Sequence, residues 1–377
     1  MALALVVAVA VGVGIGFATS GSTRSSHRSQ KPAGTSPTTS ARPATGQPAP
    51  TRTPPVDLGR LVGQVVVGRY SGPRPTAAFL ARVRAGQLGS VILFADNAAA
   101  GLRATRHAIA ELQAAARKGH NPPLLVMTDQ EGGAVRRLPG PPEMAPAAMS
   151  STAIAHAQGV AAGRFLRSVG VNVDLAPVAD VERASSSFLE TRSFGSSPAL
   201  VAARACAFAR GLHSAGVAYT LKHFPGLGWA EASTDVQQVR IPVPAAQLRT
   251  DYAAYRACGA SPDAMVMISS AIYPNLTNSA PAVTSPRIYG QELPTALHQA
   301  RHLTISDALG TPALGAQKTP ALRAIDAGLD LALFADNGRE SAVAYRQLLS
   351  AARRGRLPQT RLRSAVFAVE QLKRRLR

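Results

Sequence analysis

The sequence has few of the residues that build metal centres and redox centres. Its 377 residues include only two cysteines and one tryptophan, and aromatic residues make up 5% of the chain. The eight histidines are scattered, and none pairs with cysteine or carboxylate at the spacing of a metal site. No G-x-G-x-x-G motif follows the first predicted strand, which argues against a dinucleotide. We therefore expect neither a metal nor a cofactor.

Acidic residues are also scarce. Asp and Glu number 21 against 41 Lys and Arg, which gives a formal net charge of +20. Nine basic residues and one acidic residue fall in 353–377, a segment with a helical pattern. A basic surface attracts anionic polymers and membranes, so an anionic envelope surface is one expected partner and a solvated helix face the alternative. No nucleic-acid motif is present, and we expect no nucleic-acid partner.

The first 56 residues differ from the rest in composition. Residues 1–19 are an uncharged apolar run, which predicts either a signal peptide or a membrane anchor. Residues 20–56 are rich in Ser, Thr, Pro and Ala, with too little apolar bulk to offset the entropy of ordering, and are expected to form a disordered linker. This arrangement predicts an extracytoplasmic protein that is secreted or tethered to the cell membrane.

The two cysteines, Cys206 and Cys258, both lie in Ala-rich segments with helical patterns. A disulfide is permitted outside the cytosol. Sequence alone does not bring the two residues within bonding distance, so the prediction is two buried free thiols.

From residue 57 onward, short β-branched runs alternate with amphipathic segments that end near a glycine. Apolar strands separated by helices are typical of parallel strands buried on both faces. Eight such units in about 320 residues predict a single (β/α)8 TIM-type barrel spanning 57–377, with a doubly wound open sheet as the alternative. The eight runs are 63–68, 90–94, 124–129, 171–177, 217–224, 264–270, 302–307 and 330–336.

Charged residues collect where these runs end. Asp129 ends the third run, Lys222 and His223 end the fifth, Asp307 ends the seventh, and Arg192 lies in the segment after the fourth. Barrels of this type place their active sites at the C-terminal ends of the strands. A single Asp at a strand end is often only a helix cap, but convergence from four strand ends predicts a site.

Four motifs stand at these positions: TDQEGGAVRRL (128–138), RSFG (192–195), KHFPGLG (222–228) and SDALG (306–310). They resemble the motifs of family 3 glycoside hydrolases and occur in the same order along the chain. The resemblance covers roughly residues 57–340 and is greatest to the β-N-acetylglucosaminidase branch, which has a single compact barrel.

The resemblance implies roles for individual residues. Asp307 matches the nucleophile that forms a covalent glycosyl-enzyme. Five further residues match those that hold the hydroxyls of the non-reducing sugar: Asp129, Arg137, Arg192, Lys222 and His223. A carboxylate accepts from sugar hydroxyls and a cation donates to them, so the residue types agree with a carbohydrate ligand.

The loop after KHFPG departs from the family pattern. The resemblance to this branch implies a proton donor that is a His held by an Asp. Here, however, Leu227 and Gln237 stand where histidines are expected. Asp235 falls near the Asp of that dyad, and Glu231 lies in the same loop. We expect Asp235 to be the acid/base, with Glu231 as the alternative. Trp229 either stacks on the sugar at its leaving-group side or packs on the barrel rim.

These features predict a retaining β-glycosidase, by resemblance a β-N-acetylhexosaminidase that removes terminal N-acetylglucosamine-type residues from cell-wall or other glycans. A monomer is expected. Two alternatives stay open: a catalytically weak or inactive envelope glycan-binding protein, and a β-glucosidase of the same family.

Overall fold

The structure is a computed structural model that describes residues 57–183, 188–299, 301–315, 317–336 and 338–376. The apolar segment 1–19 and the linker 20–56 predicted from the sequence lie outside the described residues. None of the described helices is both long and apolar enough to cross a bilayer.

Eight parallel strands form the barrel, and two short strands form a separate hairpin. Each of the eight predicted runs contains one barrel strand, which confirms the (β/α)8 prediction, whereas the hairpin β4–β5 was not predicted. The strands are β1 Val66–Gly68, β2 Ser90–Leu93, β3 Leu125–Thr128, β4 Gln130–Gly132, β5 Val135–Arg136, β6 Val173–Asp174, β7 Ala218–Phe224, β8 Ala264–Ile268, β9 Leu303–Ser306 and β10 Ala332–Leu333.

The barrel strands pair in chain order, and the ring then returns to its start. The sheet order is β10-β1-β2-β3-β6-β7-β8-β9. A parallel bridge between Ile305 of β9 and Leu331, directly before β10, joins the two ends of this order. Because all eight strands run the same way, their C-terminal residues lie together at one end of the barrel.

Helices connect successive strands. Twelve α-helices lie within the described residues: α1 Leu58–Gln64, α2 Ala77–Arg84, α3 Leu102–Lys118, α4 Thr152–Val169, α5 Pro198–Ser214, α6 Ala245–Leu248, α7 Ala253–Cys258, α8 Pro274–Thr277, α9 Leu293–Ala296, α10 Pro320–Ala327, α11 Arg339–Arg353 and α12 Gln359–Arg375.

The helix ends follow local sequence signals. The Thr76 hydroxyl accepts a hydrogen bond from the Phe79 amide at the start of α2, and Ser151 caps α4 through the Ile154 amide. Gly170 ends α4 with a φ of 97°, a left-handed conformation that favours glycine. Local sequence signals of this kind set where α2 and α4 begin and where α4 ends.

Helix α12 closes the N-terminal end of the barrel. Its Val369 and Leu372 belong to the same apolar cluster as the inward-facing strand residues Val67, Ile92 and Leu125. The Lys373 Nζ donates hydrogen bonds to Gln64 Oε1 over 2.7 Å and to the Gly89 carbonyl over 2.8 Å, at the starts of β1 and β2. The barrel interior is therefore packed and capped at this end, and only the opposite end is left to hold a site.

The prediction of two free thiols is wrong. Cys206 of α5 and Cys258 of α7 form a disulfide, with their Cα atoms 5.5 Å apart. The prediction failed because the segment between them, with a sequence separation of 52, includes β7, which returns the chain so that α5 and α7 pack side by side. Both cysteines are buried in that contact.

Candidate active site

The C-terminal ends of the barrel strands surround a cavity of about 220 Å³. Seven of the nine residues singled out from the sequence line it, and they come from four barrel strands or the loops that follow them. They are Asp129, Arg137, Arg192, Lys222, His223, Asp235 and Asp307. The fold therefore gathers residues that are up to 178 positions apart in the chain.

Lys222 is the centre of the charge network on the floor of the cavity. Its ammonium nitrogen lies 2.7 Å from Asp129 Oδ1 and 2.7 Å from Glu131 Oε1, and its side chain is 2% exposed. Burial alone would lower the pKa of Lys222, but the two carboxylates raise it. Lys222 is therefore held as a cation with a fixed direction.

Glu131 joins Lys222 to Arg192. The Arg192 Nε and Nη2 groups donate to the two oxygens of Glu131 over 2.8 and 2.9 Å, a bidentate pair. Although burial acts to raise the pKa of Glu131, Lys222 and Arg192 lower it to about 2. Glu131 thus stays ionised and orients two cations that both line the cavity. The hairpin β4–β5 carries Glu131 and brings Arg137 back beside Asp129, whose carbonyl accepts from the Arg137 amide over 3.1 Å.

Asp174 lies under the same network at the end of β6. Its Oδ1 accepts a hydrogen bond from the Gln130 amide over 3.0 Å, and the side chain is fully buried. Burial raises its pKa well above the usual value, despite that hydrogen bond and the attraction of Lys222. The Lys222 ammonium group makes its ion pairs with Asp129 and Glu131 instead.

His223 is oriented by a buried carboxylate, Asp180. The distance from His223 Nδ1 to Asp180 Oδ2 is 2.7 Å, and the same carboxylate accepts from the amides of His223 and Leu227. Because the Asp180 carboxylate is an acceptor, it favours a proton on Nδ1 of His223. In the neutral imidazole, Nε2 is then left as the acceptor. Asp180 therefore sets the orientation of His223 and fixes the start of the loop that follows β7.

Glycines allow this loop to lie against the loop after β6. A Cβ atom on Gly228 would come within 1.7 Å of the Val181 carbonyl oxygen, and Gly226 has a φ of 132°. A side chain at Gly228 would push the two loops apart, and a side chain at Gly226 would strain the backbone. In the KHFPGLG motif, Gly228 is thus required by the close approach of two loops at the cavity wall, and Gly226 by its backbone conformation.

Asp307 lies directly after β9 and faces the cavity. Its Oδ1 accepts from the Ala308 amide over 2.8 Å, and its Oδ2 accepts from the Thr234 hydroxyl over 3.1 Å. Burial raises the pKa of Asp307, His223 opposes this, and the charge of Asp235 adds to it. The carboxyl group is positioned by two donors and sits among charges of both signs.

The loop after β7 lies over Asp307. Thr234 is buried beside it, whereas Asp235 is exposed yet still lines the cavity, which places Asp235 at the rim. The Ser233 hydroxyl donates to Asp235 Oδ2 over 3.3 Å. Asp235 therefore has access to both the cavity and solvent.

Trp229 and Glu231 do not line the cavity. The Trp229 indole nitrogen donates to Asp251 Oδ2 over 3.2 Å, and the Arg183 guanidinium lies 5.6 Å from the centre of the ring. Arg183 also pairs with Asp251 over 2.7 Å. In this placement the Trp229 ring packs between Arg183 and Asp251. Glu231 is exposed outside the cavity.

Sequence reasoning missed three residues of the site: Glu131, Asp180 and Thr234. Glu131 stands two positions after Asp129 on the hairpin, so that both carboxylates reach Lys222. Asp180 lies three positions beyond an apolar run, and Thr234 precedes Asp235. The first two were detectable as carboxylates near a strand end, but no local signal indicates that Thr234 contacts Asp307.

Comparison with known proteins gives a consistent result. The model for the glycosyl hydrolase family 3 N-terminal domain matches residues 58–372. An uncharacterized secreted glycosyl hydrolase of Arthroderma benhamiae is 30% identical over 334 residues, which are 85% of this chain and 94% of that protein. The β-hexosaminidase LpqI of Mycobacterium tuberculosis is 32% identical over 277 residues, covering 67% of this chain and 68% of LpqI.

Solved structures agree. A glycoside hydrolase family 3 β-N-acetylglucosaminidase from Paenibacillus sp. superposes with a TM-score of 0.80 at 28% identity. The match covers 85% of this chain but 63% of the Paenibacillus protein, so this chain spans less than two thirds of that protein's length.

Proposed function

Because the chain belongs to glycosyl hydrolase family 3 and is β-N-acetylhexosaminidase-like, we propose that it acts by double displacement with Asp307 as the nucleophile. The substrate is a β-linked, terminal N-acetylglucosamine-type residue of a cell-wall or other glycan. One observation carries this proposal: Asp307 faces the same cavity as Lys222 and Asp129, so one sugar ring can meet the nucleophile and the hydroxyl-binding groups together.

The charge network accounts for sugar binding. Asp129 accepts hydrogen bonds from sugar hydroxyls, while Lys222, Arg192 and Arg137 donate to them. These groups are held by one another before the ligand arrives, since Lys222 already contacts Asp129 and Glu131. The cost of ordering them is therefore met on folding rather than on binding.

In the first half-reaction, an Asp307 oxygen attacks the anomeric carbon and the bond from that carbon to the leaving oxygen breaks. A proton passes to the leaving oxygen, and the product is a glycosyl ester on Asp307. In the second half-reaction, water attacks the anomeric carbon, gives up a proton, and releases the sugar and the Asp307 carboxylate. Two inversions leave the β configuration unchanged.

Asp235 is the proposed acid and base for the two proton transfers. It is the loop carboxylate that both lines the cavity and meets solvent, whereas Glu231 lies outside the cavity. Its nearness to Asp307 is expressed in the pKa of Asp307, which the Asp235 charge raises. The position expected for a histidine is held by Gln237, which cannot carry a proton in this role.

That substitution favours a second candidate, a glycan-binding protein with little or no turnover. Such a protein would keep the charge network around Lys222 and lose proton transfer. The retained contacts of Asp307 with Thr234 and Ala308 favour the enzyme, since a binding protein has no need of a positioned nucleophile.

The disulfide supports an extracytoplasmic location as part of the same proposal. Disulfides persist in oxidising compartments and are rare in the cytosol. The relative from Arthroderma benhamiae is described as secreted. Export by the apolar segment 1–19, with 20–56 as a spacer, remains the proposed domain arrangement.

Mass spectrometry with a mechanism-based fluorosugar tests the assignment of Asp307. An activated 2-deoxy-2-fluoro glycosyl donor slows the second half-reaction more than the first, so the glycosyl ester accumulates. We expect the label on Asp307 and loss of turnover of an aryl N-acetyl-β-glucosaminide in Asp307→Ala. Label on another residue would refute the nucleophile. Binding of N-acetylglucosamine without any turnover would favour the binding protein.

A further inference from the structure

The two ends of the barrel differ in charge. The last turns of α2, α3, α4 and α11 each carry exposed basic residues, among them Arg84, Lys118, Arg167 and Arg353. In a (β/α)8 barrel each of these helices ends on the side where the strands begin. The helix dipole favours cations at each of these helix ends. Together these basic residues form a basic face at the N-terminal end of the barrel.

Helix α12 crosses this face and presents one row of side chains to solvent. Arg363, Phe367 and Arg374 are exposed and stand four and seven residues apart, so they lie on one side of the helix. Val369 and Leu372 on the opposite side pack into the barrel. The exposed row is therefore held flat across the basic face.

Phe367 is the unusual member of this row. Its side chain is 58% exposed, among the most exposed large apolar residues in the part of the chain that the structure describes. A recess of about 240 Å³ lies beside it, lined also by Arg301, Arg375 and Leu303, the first residue of β9. The recess thus combines an apolar ring with two guanidinium groups at the N-terminal end of the barrel.

Some of these cations are already paired and others are not. Arg375 pairs with Asp263 over 3.0 Å, and Arg374 lies 3.7 Å from Glu370. Arg363 has no ion-pair partner among the residues described. Arg301 is 3.6 Å from Asp330 and its side chain is 57% exposed. The face therefore keeps a net positive charge after its own ion pairs are formed.

We propose that the row Arg363, Phe367 and Arg374, with the recess beside Phe367, docks on an anionic phospholipid bilayer. Basic residues near such a surface are attracted by anionic headgroups, and a neighbouring aromatic side chain inserts at the boundary with the acyl chains. A soluble polyanion would use the arginines but would gain nothing from Phe367. Docking at this end directs the cavity around Asp307 away from the bilayer.

Vesicle partition of the full chain tests this proposal. Phosphatidylcholine vesicles are compared with vesicles that also contain phosphatidylglycerol, and the quantity measured is the gain in partition due to the anionic lipid. We expect Arg363→Gln to lower this gain about fivefold, because each basic residue near an anionic surface contributes roughly 1 kcal/mol. Phe367→Ser should lower the gain by a similar factor. Hydrogen exchange should show protection of α12 only on anionic vesicles.

Two matched variants distinguish this surface from a general effect of net charge. Arg106→Gln removes one exposed charge from α3, and Leu200→Ser removes one exposed apolar side chain from α5. Neither should change the gain. An equal loss in Arg106→Gln, or no gain on anionic vesicles, overturns the proposal. Competition by soluble polyglutamate together with an unchanged Phe367→Ser also overturns it, in favour of an acidic polymer.

Discussion

The hydroxyl of Thr234 donates a hydrogen bond to Oδ2 of Asp307 over 3.1 Å, and Thr234 is buried at that contact. The two residues are 73 positions apart, one in the loop after β7 and the other at the end of β9. The loop therefore reaches across the cavity to the proposed nucleophile. This hydrogen bond couples the position of the loop to the position of the Asp307 carboxylate.

Thr234→Val should impair the ionisation and positioning of Asp307. A donor to a carboxylate stabilises its charged form, so loss of the hydroxyl raises the pKa of Asp307 further. We expect kcat/KM to fall about tenfold, in line with a hydrogen bond to a charged group, and the acid limb of its pH profile to move to higher pH. Thr234→Ser keeps the hydroxyl, so its kcat/KM and its acid limb should match those of the wild type. An unmoved acid limb would show that the contact only packs the loop.

Asp235→Ala should separate substrates by leaving group. Protonation matters only when the departing oxygen is basic, so alkyl glycosides should slow far more than activated aryl glycosides. Azide should accelerate the second half-reaction, because a small anion needs no general base, and should yield a β-glycosyl azide.

Glu231→Ala is the matched control for Asp235, since it removes an exposed carboxylate from the same loop without touching the cavity. It should show neither the leaving-group dependence nor rescue by azide. If Glu231→Ala shows both and Asp235→Ala does not, the two roles are exchanged. If neither does, the proton donor is not a carboxylate of this loop.

Asp129→Asn and Lys222→Met should differ in their effect on folding. Lys222 keeps its ion pair with Glu131 when Asp129 is neutralised, so Asp129→Asn should fold normally. The loss of transition-state stabilisation, calculated from kcat/KM, should be about 2 to 3 kcal/mol. Lys222→Met leaves Asp129 and Glu131 without their shared cation, and the free energy of unfolding should drop by about 3 to 5 kcal/mol. Urea unfolding and initial rates measure the two effects. Equal stability of both variants would contradict the described network.

Loss of the Cys206–Cys258 disulfide should destabilise the barrel. The cross-link closes a segment with a sequence separation of 52 residues, for which the loop-entropy estimate is about 4 kcal/mol. Cys206→Ala/Cys258→Ala should therefore unfold at lower urea, as should the wild type in reductant. Reductant should leave the double variant unchanged. Identical midpoints for wild type with and without reductant would show that the cross-link does not form.

Lys373 should make stability depend on pH at alkaline values. Burial lowers its pKa from the ordinary 10.5 to about 7 in the folded chain. Between these two pH values the unfolded chain binds a proton that the folded chain does not, so stability rises with pH across this window. The slope is at most about 1.4 kcal/mol per pH unit. Lys373→Met should reduce this rise, as measured by urea unfolding from pH 7 to 10; an unchanged slope would show that Lys373 is charged when folded.

Much of the fold was readable from the sequence because the relevant signals are local. Apolar β-branched runs of strand length, helix caps such as Thr76, and the glycine at 170 each act within a few residues. Their regular alternation then permits few arrangements, and the eight predicted runs each contain a barrel strand. The positions of Asp129, Lys222 and Asp307 at the ends of parallel strands implied that they would meet.

What the sequence could not supply depends on contacts between distant segments. The disulfide needs α5 and α7 side by side, and the approach of Thr234 to Asp307 needs the course of the loop after β7. The packing of Trp229 depends on its hydrogen bond to Asp251. Composition marked residues 353–377 as basic, but only the packing of Val369 and Leu372 into the barrel turned Phe367 and Arg363 outward. The sequence by itself determined which side chains follow each strand, because strand and helix propensities are local. Tertiary structure alone decided which of them share a cavity, because that depends on how loops of different lengths fill the space above the barrel.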